Sequence, residues 1–370
     1  MKLVYIGTAV AILIALAALY AVYTGLNQSL SKGGISDLAP LALYESQNKN
    51  DWQAAREQRD LILNDENAVP NEKALAIIGS TKVNFKLSGD VKDILVSIQE
   101  LKKVFLDPNL DLTVRVLALN KLAFAYCSSG RDPLAFAELY KDAPFSSYLA
   151  PGDPDASARN LAEWSYSVKP TAFAAVRVAR WYAQQYAIDN SLSAERREEY
   201  GATARKYVAL GESLMEKEIQ NAVGDYKKDP MYSEYHFWNA HAIAWLAARG
   251  DKEYLSRYKE AHEEAIRIAL EANTESTMNN VFFDRLYYAH YLLKYDKDTV
   301  AAKKQADQLA KELGALKNPL TSSFIRVARN EEKNAPTKGT WKTFTKVMNV
   351  SPDFKAAIEL ALAIPDLKTQ

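Results

Sequence analysis

Four histidines, His236, His241, His262 and His290, are the residues of this 370-residue chain best suited to acid–base or metal chemistry. Three of them share one stretch, HFWNAHAIAWLAARGDKEYLSRYKEAHEEA, from His236 to Ala265. An imidazole titrates nearest neutral pH and is the commonest metal ligand. The spacing argues against a local site. His236 and His241 are five residues apart, which is about 140° around a helix rather than one face. His262 opens HEEAI and has no second histidine four residues on, as a zinc-protease helix requires. His290 lies in LYYAHYLLKY, among aromatic and aliphatic neighbours. The expectation is of histidines hydrogen-bonded between helices, with no metal and no cofactor.

Other catalytic arrangements are also missing from the sequence. Cys127 is the single cysteine, so one chain can form neither a disulfide nor a thiolate cluster. In LAFAYCSSG it reads as a small buried residue near a helix end. No G-x-S-x-G, G-x-x-x-x-G-K-[ST] or G-x-G-x-x-G occurs, which removes the common hydrolase elbow and both phosphate-binding loops. No catalytic residue is nominated. The enzyme reading that survives is a glycan-active helical toroid, in which two carboxylates about 5 to 9.5 Å apart face each other across an aromatic cleft. Its candidate acids are Glu163 beside Trp164, Glu234 between Tyr232 and Tyr235, and Asp284 after Phe282 and Phe283. Acids beside aromatics are more often at the surface, and Tyr and Trp at helical spacing are more often core.

The 21 tyrosines and 6 tryptophans suit recognition better, because these rings offer rigid contact area and a hydrogen-bonding tip at small entropy cost. In YYAHYLLKY, Tyr287, Tyr291 and Tyr295 follow one another at intervals of four, with Tyr288 beside them. These four, with Trp238 and Trp245, are the candidate binding residues. Facing solvent they form a platform; facing a neighbouring helix, the commoner arrangement, they are core.

Helices are the elements that must position them. Hydrophobic residues make up 48% of the chain, with only 14 Gly and 13 Pro, too few turns for a sandwich or barrel. In IQELKKVFL, for example, Ile98, Leu101 and Phe105 share one helical face. Short breaks recur at LSGD (87–90), SSGRDP (128–133) and ARGD (248–251), and KYDKD (294–298) is a glycine-free version. Glycine can end one helix in the left-handed conformation, and aspartate can cap the next. Pro133 suits a first helical turn. Asp90 to Asp132 spans 42 residues and Asp251 to Asp296 spans 45, longer than a tetratricopeptide repeat and close to the roughly 40 to 47 of HEAT-type repeats.

One stretch, LALNKLAFAYCSSGRDPLAFAELYKDAP (117–144), resembles a tetratricopeptide repeat. With Gly130 as the turn glycine, Leu122 and Ala123 match the family's Leu-Gly pair, Tyr126 its aromatic and Ala135 its small residue; Leu139 replaces the usual Phe, and Asp142 stands where Ala is expected. The resemblance implies an all-α fold, an α-solenoid of helical hairpins acting as a binding scaffold, and brings no catalytic residues. Further on, 191–220 reads as one long helix with a solvated face. APGDPDASARN (150–160) is the clearest break, and KNAPTKGTW (333–341) a second. After it, Ser351 as cap and Pro352 at the first position open a helix that closes the array.

The N-terminus carries a different signal. No charged residue falls between Lys2 and Lys32, and 3–26 is predominantly apolar, long enough to span a bilayer. Ala15-Leu16-Ala17 has the small-x-small pattern of a cleavable signal peptide but lies in the middle of the run. An uncleaved signal anchor is therefore expected. Lys2 before the span places a two-residue stub in the cytoplasm and the body outside, with Tyr20 and Tyr23 near the outer interface. The expected organisation is therefore stub (1–2), single-pass transmembrane helix (3–26), flexible tether (27–36), two helical-repeat subdomains (37–150 and 151–332), and a break with capping helix (333–370). With 46 basic and 46 acidic residues and pI near 6.9, nothing supplies the basic face that nucleic-acid binding requires. The expected function is a membrane-anchored scaffold binding a protein or peptide partner at the outer face of a membrane, in envelope assembly or translocation. The alternatives are the membrane-tethered glycan-active enzyme and a structural spacer.

Overall fold

The computed structural model describes residues 59–364, apart from 89–90, 130–132, 142, 223–229, 274, 317–321 and 335–338. The expected anchor (3–26) and tether (27–36) lie outside the described residues, among which no helix is long and apolar enough to cross a membrane. The fold is all-α, with no strand among the described residues. The helices are α1 (Pro70–Ser88), α2 (Val91–Leu106), α3 (Leu112–Ser129), α4 (Pro133–Tyr140), α5 (Pro154–Val168), α6 (Ala172–Ile188) and α7 (Ala194–Asn221). They continue with α8 (Pro230–Ala247), α9 (Lys252–Ala272), α10 (Glu275–Tyr291), α11 (Thr299–Gly314), α12 (Ser323–Asn334), α13 (Gly339–Met348) and α14 (Pro352–Ala363).

Local chemistry sets most of these boundaries. Asp153, Thr171, Ser193, Asp298 and Ser351 each accept a hydrogen bond from the backbone amide three residues on, satisfying a donor that the first helical turn leaves open. Pro154 and Pro352 follow their caps directly, as Pro352 was expected to do. The expected long helix at 191–220 is α7, capped by Ser193. Gly250 ends its helix at φ 82°, and in the glycine-free joint Lys297 takes the left-handed conformation at φ 59°. One expected cap is absent: the Asp251 side chain makes no cap hydrogen bond. Its Oδ2 instead accepts from Arg205 Nη1 of α7 at 3.3 Å, which draws the carboxylate away from the α9 amides.

Neighbours in sequence are neighbours in space. Helix α6 packs against α7 and α8, α8 against α9 and α10, and α10 against α9, α11 and α13; α14 closes on α11 and α12. Several of the side-chain bonds that cross between these helices have similar separations, while others differ, such as 19 residues for Glu163–Tyr182 and 63 for Tyr186–Arg249. Asn71–Asp111 spans 40 residues, Asn120–Ser165 45, Arg205–Asp251 46, Glu234–Asn280 46, Asn279–Ser322 43 and Asp307–Ser351 44. The joint residues Asp90 and Asp132, from which the spacing of 42 was read, lie outside the described residues. Where α6 and α7 pack closely, a Cβ on Gly211 of α7 would lie 2.7 Å from Val176 Cγ1 of α6.

Ile98, Leu101 and Phe105 are buried together as their spacing predicted. They belong to an apolar cluster that runs from α1 through Leu139, Phe145 and Leu149 to Leu161 and Trp164 of α5; a second and larger cluster spans α6 to α14. Phe237, His241 and Ala244 of α8 are buried together, and Tyr232, Tyr235, Ala240, Ala242, Ile243 and Leu246 of the same helix are also in the core. The helix lies between α6, α9 and α10, and leaves Glu234, Trp238 and Trp245 half-buried. On α9 the buried line runs Tyr254, Tyr258, His262, Ala265, with Ala261 only partly covered. His262 is turned inward by a hydrogen bond to α10.

Candidate functional site

That hydrogen bond is the centre of a buried polar node. His262 Nδ1 of α9 lies 3.1 Å from Asp284 Oδ1 of α10, and both side chains are fully buried. His241 Nε2 of α8 approaches the same oxygen at 3.3 Å, off the line of a straight hydrogen bond. Three successive helices thus each contribute one group. The carboxyl oxygen accepts, so the proton is assigned to Nδ1 of His262 and Nε2 of His241. Burial pushes the His241 imidazole below its ordinary value; Asp284 opposes the shift, while His262 and Arg180 add to it. His241 is therefore neutral at neutral pH.

Aromatic rings enclose the node. Tyr288 stacks on His262 with centroids 5.3 Å apart and planes 13° apart, and its hydroxyl donates to Glu263 at 2.9 Å. Tyr287 meets His241 edge-on at 5.1 Å, and Tyr291 tilts over His262 at 5.7 Å. Tyr291 is buried, and burial raises its hydroxyl well above the ordinary value. Asp284 Oδ2, His262 Nε2 and Tyr291 Oη are buried without a hydrogen-bond partner.

Beside the node runs a row of rings carried by α8 and α10, with α6 packed alongside. Glu234 bonds to Asn280, His241 touches Tyr287 and Trp245 touches Tyr291. Each pair is 46 residues apart, so α8 and α10 run parallel in constant register. Arg177 lies over Trp238, and Arg249 near the end of α8 donates to the Tyr186 carbonyl near the end of α6 at 3.0 Å. Helix α6 is therefore parallel to α8 as well. Tyr287, Tyr291 and Tyr295 stack as a ladder, with centroids 6.4 and 5.8 Å apart and planes 24° and 20° apart. Trp238 sits beneath two guanidinium groups, Arg177 at 4.6 Å and Arg180 at 5.3 Å, an electrostatic contact with the face of the ring.

All six nominated aromatics fall in this region, and they divide by depth. Tyr288 and Tyr291 are core; Tyr287, Tyr295, Trp238 and Trp245 are half-buried. The histidines divide too. His241 and His262 converge, whereas His236 packs between Tyr232 and Tyr235, and His290 lies near Lys346, Lys294 and Lys342. The expected satisfaction of all four fails: His236 Nε2 and His290 Nδ1 are buried without a hydrogen-bond partner. Burial, the main cause, lowers each to about 4. No group of three or more His, Cys, Asp or Glu among the described residues could hold a metal ion.

The three candidate acids occupy different elements. Glu163 of α5 accepts from the Tyr182 hydroxyl at 2.5 Å, and Glu234 of α8 accepts from Trp238 Nε1 at 3.1 Å and Asn280 at 2.9 Å. Asp284 was expected at the surface and is instead fully buried against two imidazoles. Sequence reasoning also missed Arg177 and Arg180. Their signal was available: they recur on the α6 face that holds Trp181 and Gln184. No protein-family model matches this chain, and no curated protein or solved structure matches it either.

Proposed function

We propose that this protein is a binding scaffold whose parallel helices α6, α8 and α10 receive an extended segment of a partner protein. The observation that carries the reading is the joined row of half-buried rings, Trp238, Trp245, Tyr287 and Tyr295, resting on the buried layer of His241, Tyr291 and Asp284. A ring whose underside is packed has already lost its rotamer freedom, so binding costs less entropy than it would on a mobile side chain. The hairpin-like succession of contacts and the several bonds spanning 40 to 46 residues support an α-solenoid of the tetratricopeptide kind. In such an array the first helices line one surface.

We further propose that 3–26 anchors the chain by one membrane span, with the body on the outer face. Protease added to intact cells then degrades the body; digestion only after the cytoplasmic side is opened defeats that orientation. The binding face is tested with a photo-crosslinking residue at Tyr287 or Trp245, and a control at Glu260 on the exposed side of α9. Partner adducts are expected from the first two positions and not from Glu260. Equal capture at all three, or none at Tyr287 and Trp245, removes the reading.

A further inference from the structure

Lys294 and Lys297 lie in and after the turn 292–296 that closes α10, and Lys342 and Lys346 stand four apart on the exposed side of α13, which packs against α10. All four are exposed. Their closeness is felt electrostatically. The Lys346 ammonium is held below its ordinary value first by partial burial and then by Lys342, Lys294 and Lys297. His290, half-buried between the two helices, is disfavoured as a cation by burial and then by Lys346, Lys294 and Lys342.

None of the four lysines has an acidic ion-pair partner among the described residues. Lys297 donates to the Lys294 carbonyl at 2.9 Å, and the Lys294 ammonium lies 4.9 Å from the Tyr295 ring centre. The local acids are engaged elsewhere: Asp296 by Tyr258 at 2.7 Å and Lys259 at 2.5 Å, Asp298 by the Ala301 amide, and Asp307 by Lys303 and Ser351. In a chain with 46 basic and 46 acidic residues, this local excess is not a by-product of overall basicity. Like charges held together destabilise a fold unless something neutralises them.

We infer that this lysine cluster binds an acidic polypeptide segment. Lysines spread over two helices are separate point charges, without the guanidinium fork that grips a single phosphate. They suit carboxylates spaced along an extended chain. Tyr295 and Trp341, both half-buried beside lysines, add rings for apolar side chains placed between those carboxylates. A phosphodiester backbone would need a longer basic track. The cluster adjoins the aromatic face at Tyr295, which the two sites share, but none of the four lysines belongs to that face.

The test is fluorescence anisotropy of a labelled random glutamate–tyrosine copolymer with the full chain in detergent. The variant carries Lys294→Gln, Lys297→Gln, Lys342→Gln and Lys346→Gln together, and it should keep its helicity because every changed side chain is exposed. Exposed charges contribute modestly one by one, and four together are expected to weaken copolymer binding by about tenfold. Added salt should weaken the wild type more than the variant. Equal binding by both proteins, or no binding by the wild type, overturns the inference. So does binding of phosphatidylserine vesicles or of an oligonucleotide, lost in the variant, when the copolymer does not bind, because the cluster then recognises phosphate. Loss of aromatic-face crosslinking with copolymer binding intact would instead sink the other reading alone.

Discussion

Replacing Asp284 by alanine removes the group on which α8, α9 and α10 converge. His262 Nδ1, fully buried, loses its 3.1 Å partner, and His241 loses its 3.3 Å contact. Each buried polar group left unpaired costs about 1–3 kcal/mol. The cavity adds a smaller term, giving a loss of about 3–5 kcal/mol. That is a large part of the total stability of roughly 5–15 kcal/mol typical of folded proteins. Asp284→Asn retains an oxygen at the Oδ1 position and is expected to cost only about 1–2 kcal/mol. The assay is amide hydrogen exchange resolved over α8 to α10, which reads the local opening free energy even where an extended array does not unfold in one step. A loss below about 1 kcal/mol for alanine, or equal losses for alanine and asparagine, would refute the node as the tie between these helices.

Two further perturbations probe the surroundings. His236 and His290 titrate at about 4 in the folded chain against about 6.5 when unfolded. As pH falls from 6.5 towards 4, the unfolded state takes up protons that the folded state refuses. Stability should therefore be full above 6.5, decline through that window and level off below it, by at most about 3 kcal/mol for each histidine. Urea midpoints at several pH values should show this decline, and His236→Phe with His290→Phe should flatten it. Gly211→Ala gains about 1 kcal/mol of helix propensity, but its Cβ would lie 2.7 Å from Val176 Cγ1. Overpacking of this kind costs typically 1–3 kcal/mol, so the net change should be a destabilisation, partly relieved by Val176→Ala; a higher melting temperature for Gly211→Ala would contradict the close approach.

The parts of this architecture that local chemistry controls were legible in the sequence. Ser351-Pro352 reads as a helix start because the hydroxyl and the ring act on the amides beside them, and the structure places both as expected. The break at 248–251 was legible too, since Gly250 takes the left-handed conformation that ends a helix. The node was not legible in the same way. Asp284 follows two phenylalanines and looks like a surface acid, and only the packing of α8 and α9 supplies its imidazoles. A partial signal existed. Val281, Asp284, Tyr288 and Tyr291 are spaced by three, four and three, so the acid lies on the line that the flanking residues bury. Lys297 in the left-handed conformation was equally hidden, because that conformation favours glycine and no local rule selects lysine for it.

The buried acid raises the question of why an apolar residue does not take its place. Helix α8 presents Ala240, Ala242, Ala244 and Ala247 to its neighbours, and such small side chains pack almost equally well after a shift of one turn. Asp284 does not tolerate the shift, because it would then be buried without an imidazole. The node therefore penalises misalignment of α8 against α10, and so holds the constant offset of 46 residues that brings Trp245 to Tyr291 and His241 to Tyr287. On this hypothesis the combined variant His241→Phe, His262→Phe and Asp284→Leu should keep the melting temperature near that of the wild type, since buried polar groups replaced together by apolar ones cost little. It should nevertheless lose crosslinking from Tyr287, because the row of rings is no longer held in register. If the triple variant crosslinks as well as the wild type, alignment comes from apolar packing alone and the node contributes stability without specifying the face.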